Sequence, residues 1–167
     1  MKYWLTTDTH FNHEKIKEYC GRPDDFEQKI VNGFSVLKPS DVLIHLGDVC
    51  IGKETESHEK YIIPISCKKI LIRGNHDGKS QSWYMDHGWD WVCDSMSIKR
   101  CGKRILFSHA PMVWDGYWDI NIHGHFHNAN HRRYEAELKG DLLKGQKLLA
   151  LEYNDYQLWN LDKILEG

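Results

Sequence analysis

Five short apolar runs each end in a polar cluster: WLTTDTH at 4–10, VLIHLGD at 42–48, KILIRGNHD at 69–77, RILFSH at 104–109 and INIHGHFH at 120–127. Short apolar runs rich in β-branched residues read as buried strands. Open α/β sheets place their sites outside the carboxyl ends of the strands, so clusters repeated at those ends can meet on one edge. Alone, a Gly-Asp or an Asp-x-His is commonly a turn or a cap. Five clusters that mix carboxylate, imidazole and amide groups point instead to a metal site.

The remaining elements fit that reading. Predicted strands Lys2–Thr7, Val42–His45 and Lys69–Ile72 alternate with amphipathic stretches. Asp25–Leu37 puts Phe26, Ile30, Val31 and Phe34 at helical spacing before KPSD stops it. Residues 53–63 and Ser80–His87 read as helices. Met96–Arg100, Arg104–Ser108, Ile120–His123 and Leu148–Tyr153 read as strands, and Asn160–Leu165 as a terminal helix. Alternation followed by mostly strands predicts two sheets, or one mixed sheet, with helices over the outer faces.

A chain of 167 residues with 41% hydrophobic and 28% charged residues fits one folded domain. The net charge of −2, from 22 basic and 24 acidic residues, offers no broad footprint for duplex nucleic acid. The short basic runs CKKILIR, IKRCGKR and HRR read as solvated faces. No apolar run reaches a membrane-spanning length and the N-terminus lacks a signal peptide's apolar region, so the expected location is cytoplasmic, with no membrane partner. Cys20, Cys50, Cys67, Cys93 and Cys101 are odd in number and form no Cys-x-x-Cys pair, which reads as reduced, structural thiols.

The series D-x-H, G-D, G-N-H-D, H and G-H-x-H, from Asp8 to His127, resembles the calcineurin-like metallophosphoesterase superfamily. TTDTHFNHEKI, GRPDDF and LIRGNHD resemble words of its small bacterial and phage-associated members. The resemblance implies a four-layer αββα sandwich, with two mixed β-sheets flanked by helices, spanning residues 1–167 without a cap domain. It also implies two divalent ions. Asp8, His10 and His127 would hold one, Asn75, His109 and His125 the other, and Asp48 would bridge them. Such oxygen and nitrogen donors suit Mn²⁺, Zn²⁺, Fe or Ni²⁺, with Mn²⁺ preferred.

The implied activity is hydrolysis of phosphomonoesters or phosphodiesters by a metal-bridged hydroxide. A nuclease or nucleotide phosphodiesterase of the same fold is the alternative among enzymes, and a metal-binding protein-interaction scaffold the alternative outside them. His76 follows Asn75 without being a ligand in the family pattern, which makes it the candidate general acid. Scaffold relatives replace that histidine, and this sequence keeps it. Asp77 is placed beside it as a second catalytic candidate, either orienting the His76 ring or capping the following turn.

The expected substrate is a small phosphoester or a nucleotide, with nucleic-acid ends as a further possibility. VCIGK after the G-D motif departs from the GDxVDRG of Ser/Thr protein phosphatases and argues against that activity. Arg22 is a substrate candidate because guanidinium binds phosphate in a bidentate fashion; its duller reading is a pair with Asp24 or Asp25. His13 is a second candidate, against an exposed helical position. Trp114, in the loop APMVWDGYWDIN, is a third, stacking a base, against local packing with Tyr117 and Trp118. His45 reads as a core histidine, Arg73 as part of a strand-edge salt bridge, and His58 and His87 as residues without a special role. In IHGHFHNANH, His125 and His127 are the expected ligands and Gly124 frees the backbone to turn. His123 packs behind the site and His131 lies on the surface.

Overall fold

The computed structural model describes residues 1–128 and 145–166. Its strands are β1 (Tyr3–Thr6), β2 (Val42–His45), β3 (Lys68–Ile72), β4 (Trp91–Cys93), β5 (Ser95–Arg100), β6 (Lys103–Ser108), β7 (Ile120–His123), β8 (Gln146–Leu148) and β9 (Trp159–Asn160). Its helices are α1 (Ile16–Cys20), α2 (Phe26–Gly33), α3 (Glu54–Ser57), α4 (Gln81–Asp86) and α5 (Leu161–Glu166). The first sheet runs β4-β3-β2-β1-β9 and the second β5-β6-β7-β8. Both are mixed. β9 joins β1 antiparallel, and β5 and β6 form an antiparallel hairpin, while the other pairings are parallel.

Side chains of a strand alternate between its faces. In the first sheet Leu5, Ile44 and Ile72 therefore point one way, where they are fully buried with Ile105, Phe107 and Ile122 of the second sheet. Leu161 and Leu165 of α5 join this core. Each such side chain contributes about 1.5–3 kcal/mol through burial. On the opposite face, Leu71 and Val92 pack with Ile16, Phe26, Ile30 and Tyr84 from α1, α2 and α4. Two mixed sheets with flanking helices make the α/β sandwich that the resemblance implied. Among the described residues, no helix is long and apolar enough to cross a membrane.

Parallel registration sets the site. Thr6 lies beside His45 and His45 beside Leu71, so the segments leaving β1, β2 and β3 emerge from the same edge. In the second sheet Phe107 lies opposite Ile122, which brings out the segments after β6 and β7 together. The two edges are joined where the His125 N–H donates to Asp8 Oδ2 at 2.9 Å.

Several predicted bounds differ. Asp25–Leu37 divides into α2 and a 3₁₀ turn at Phe34–Val36, ahead of the Pro39 that cannot continue a helix. Residues 53–63 form α3 followed by a π-helical turn at His58–Ile62. The predicted strand Leu148–Tyr153 ends at Leu148, and Leu151–Tyr153 is a 3₁₀ turn. The strands β4 and β9 are too short for periodicity to reveal them, and α1 has a single turn. His58 is fully buried against Trp83, Tyr84 and Trp89. His131 lies outside the described residues. All five cysteines are free thiols.

Candidate metal centre

The loops after the strands turn sharply. Five of the seven expected ligands have left-handed backbone: Asp8 (φ 49°), His10 (48°), Asp48 (58°), His125 (70°) and His127 (48°). Such conformations cost energy in a non-glycine residue and cluster at functional sites. Glycines next to these ligands serve a different need. A Cβ on Gly74 would overlap Asp48 Oδ1, and one on Gly124 would overlap Thr7 Oγ1 and Asp8 Oδ2. Gly124 is therefore required for close approach, and not for the turn expected of it: the positive φ angles belong to His125 and His127.

These loops gather the side chains into two groups. Donor atoms of Asp8, His10 and His127 lie within 4.8 Å of one another, as do those of Asp48, His109 and His125. Asn75 Oδ1 lies 3.0 Å from His109 Nε2. Asp48 Oδ2 stands between the groups, 3.7 Å from His10 Nε2 and 3.3 Å from His109 Nε2. In the first group Asp8 Oδ1 is 3.8 Å from His10 Nε2 and 3.5 Å from His127 Nε2.

A divalent cation fits this arrangement. Asp8 Oδ1 and both ring nitrogens of His10 are buried without a hydrogen-bond partner among the described residues. Orphaned polar atoms of this kind are costly unless something binds them. His109 has its Nδ1 on Leu46 O at 2.8 Å, which directs Nε2 inward. Burial opposes charge on His109, but the hydrogen bond to Asp48 and the nearby Asp8 raise its pKa to about 9. Burial also opposes charge on His127, yet Cys20, Glu152 and Asp8 raise it to about 10. A cation held by these carboxylates competes with those protons.

His76 lines the cleft with its side chain 46% exposed and its Nε2 3.9 Å from Asp48 Oδ2. Asp77 corrects an expectation. Its carboxylate neither meets the His76 ring nor faces the cleft. It accepts the N–H groups of Asp48 and Gly74, both at 2.8 Å, and of Val49 at 3.1 Å. It ties the G-D loop to the G-N-H-D loop. His45 lies behind the same loops, where Gly47 N–H donates to its Nδ1 at 3.1 Å. Nε2 therefore carries the hydrogen and donates to Thr9 Oγ1 at 2.9 Å.

The cleft measures about 590 Å³ and is bordered on its apolar side by Ile16, Tyr19 and Ile51. His13 lines it, its ring centroid 5.3 Å from that of His10. Arg22 and Trp114 do not line it. The Arg22 side chain is fully buried and pairs with Glu152 at 2.7 Å, not with Asp24 or Asp25, so it has no surface for substrate. Trp114 donates its Nε1 to Trp118 O at 3.0 Å, the local packing that was the competing reading. Tyr19, 66% exposed, is the aromatic ring at the cleft. Arg73 bonds Asp94 through Nε at 2.9 Å and Nη2 at 2.6 Å.

Glu152 and Tyr19 escaped the sequence reading. Tyr19 carries no signal beyond its nearness to the first cluster. Glu152 obeys the strand-end rule that found the others, but a strand drawn through Tyr153 concealed it.

The sequence model of calcineurin-like phosphoesterases matches residues 1–160 of this chain. An uncharacterised protein of Methanocaldococcus jannaschii is 28% identical over 141 residues, covering 78% of this chain and 71% of that one. A crystal structure of a protein of unknown function from Aquifex aeolicus superposes with a TM-score of 0.74 at 27% identity, over 99% of this chain and 98% of the other. The match spans every loop that carries the two donor groups, and the chain belongs to the calcineurin-like phosphoesterase family.

Proposed function

We propose that this chain is a dinuclear metal-dependent phosphoesterase that hydrolyses phosphomonoesters or phosphodiesters in the cleft beside Asp48. Metal-dependent phosphoester hydrolysis is the family's general chemistry; the dinuclear centre and the open choice of ester are our reading. One observation carries it: seven donor side chains from both sheets converge, with Asp48 Oδ2 between two groups and buried acceptors of Asp8 and His10 unpaired. The donor set favours a transition ion, of which we take Mn²⁺ first and Zn²⁺, Fe or Ni²⁺ next. Bound there, two ions would activate a shared water and polarise the phosphoryl oxygens.

The chain's own residues supply the rest. Asp48 lies against both groups, and its Oδ1 accepts the His76 N–H at 2.8 Å, which fixes the His76 backbone beside the centre. The His76 ring, open to the cleft, is placed to protonate the leaving oxygen. Ile16, Tyr19 and Ile51 offer an apolar wall to the ester's organic part, and the cleft's volume suits a small phosphoester or nucleotide.

The test is a substrate panel with the purified protein under Mn²⁺, Zn²⁺, Fe²⁺ and Ni²⁺, covering nitrophenyl mono- and diesters, cyclic nucleotides and nucleic-acid ends. Hydrolysis is expected, with His76→Ala slowing kcat by about 10²–10⁴-fold at unchanged metal content. No hydrolysis with any metal would leave a metal-binding scaffold. A His76→Ala variant as fast as the parent would remove the general-acid role.

A further inference from the structure

A buried network lies behind the first donor group, formed by Arg22 after α1 and Glu152 in the 3₁₀ turn after β8. Side-chain exposure is 0% for Arg22, 5% for Glu152 and 8% for His127. The guanidinium hydrogens can be followed individually. Nε donates to Glu152 Oε1 at 2.8 Å and Nη1 to Thr9 O at 3.0 Å. Nη2 donates to Asp8 O at 2.7 Å and faces Glu152 Oε1 at 2.7 Å.

His127 Nδ1 lies between a donor and an acceptor of this network, 3.4 Å from Arg22 Nη2 and 3.3 Å from Glu152 Oε1. A ligand nitrogen at Nε2 leaves the ring hydrogen on Nδ1, and of these two neighbours only the Glu152 carboxylate can accept it, at 3.3 Å. The lone pair is then on Nε2, the nitrogen 3.5 Å from Asp8 Oδ1. That tautomer is the one a metal requires, because a ligating imidazole binds through one nitrogen while the other donates to a partner.

Cys20, His127 and Glu152 also bring donor atoms within 4.8 Å of one another, an arrangement that could hold an ion of its own. The Arg22 guanidinium already provides the positive charge on that carboxylate, so the grouping reads as support for the first site.

We propose that Glu152 and Arg22 are positioning residues of the metal centre. Glu152 holds His127 in the tautomer that turns Nε2 toward the ion, and Arg22 locks Glu152 together with the carbonyls of Asp8 and Thr9. The Leu151–Tyr153 turn is thereby part of a centre whose seven expected ligands all precede residue 128. This inference rests on the reading of Asp8, His10 and His127 as metal ligands.

The test uses the full chain and two readouts that need no turnover. The first is nitrogen-15 histidine spectroscopy of the Zn²⁺-loaded parent, which is expected to show His127 with its one ring hydrogen on Nδ1; a His127 that keeps a hydrogen on Nε2 under Zn²⁺ would overturn the proposal without any variant. The second is chelator competition with Mn²⁺ and Zn²⁺. Glu152→Ala is expected to weaken one of two bound ions by about 10–100-fold and leave the other unchanged. Glu152→Gln keeps an oxygen for His127 and Arg22 and should recover most of that loss, with parent-like circular dichroism. If the parent binds two ions and Glu152→Ala binds both as tightly, the positioning role is wrong while the metal centre stands. A parent that binds no ion removes the metal centre and this role with it.

Discussion

Gly124 is the residue at which both sheets approach the first donor group. Its absent side chain leaves room for Thr7 Oγ1 and Asp8 Oδ2, and that same Asp8 oxygen accepts the His125 N–H. Gly124→Ala must push the β1 and β7 loops apart. We expect a loss of about 1–3 kcal/mol in denaturant unfolding, typical of overpacking, together with weaker metal binding. Gly78 is the matched control: nothing lies within 4 Å of its added Cβ and its φ is not left-handed. Gly78→Ala should be neutral or stabilise by up to about 1 kcal/mol. Equal effects at the two glycines would rule out the steric account of Gly124.

At the level of elements, the edge of the first sheet works because two loops are cross-linked by one carboxylate. Asp77 accepts three backbone N–H groups from the β2 and β3 loops. Asparagine has one acceptor oxygen, so Asp77→Asn leaves at least one buried donor unmatched, and it should cost about 1–3 kcal/mol in urea unfolding before any effect on turnover. A variant with parent stability and slow turnover would instead favour the role of orienting His76. The strand-end clusters were legible because periodicity and ligand chemistry are both local. Asp77 was not, since a residue beside a general acid looks the same in sequence whether its carboxylate faces the ring or the loop behind it.

Across the whole molecule, pH stability depends on histidines that the sheets bury. His45 is fully buried, and burial pushes its pKa down to about 3 from an ordinary value of 6.5. The unfolded chain takes up a proton below pH 6.5 and the folded one does not. Its contribution is therefore intact above that value and declines as pH falls toward 3, by up to about 1.4 kcal/mol per unit. His109 and His127, raised to about 9 and about 10, act in the opposite sense: they stabilise below 6.5 and lose that effect as pH rises through the folded values. The parent's total slope mixes these, so the measurement is a comparison. Unfolding free energies for the parent and His45→Asn between pH 6.5 and 4 should show a shallower decline in the variant; parallel curves would contradict the assignment to His45.

The sequence by itself determined the α/β class, the strands that bear the clusters and the residues that converge between the sheets, because strand patterning is local and few side chains offer metal-binding atoms. Only the tertiary structure decided what lies behind and beside them. Arg22 meets Glu152 across 130 residues, which turns an expected substrate contact into an interior ion pair. Tyr19 reaches the cleft and Trp114 does not. The sign of each role depends on burial and on which partner takes each hydrogen, and both are set by contacts between distant segments that no local pattern encodes.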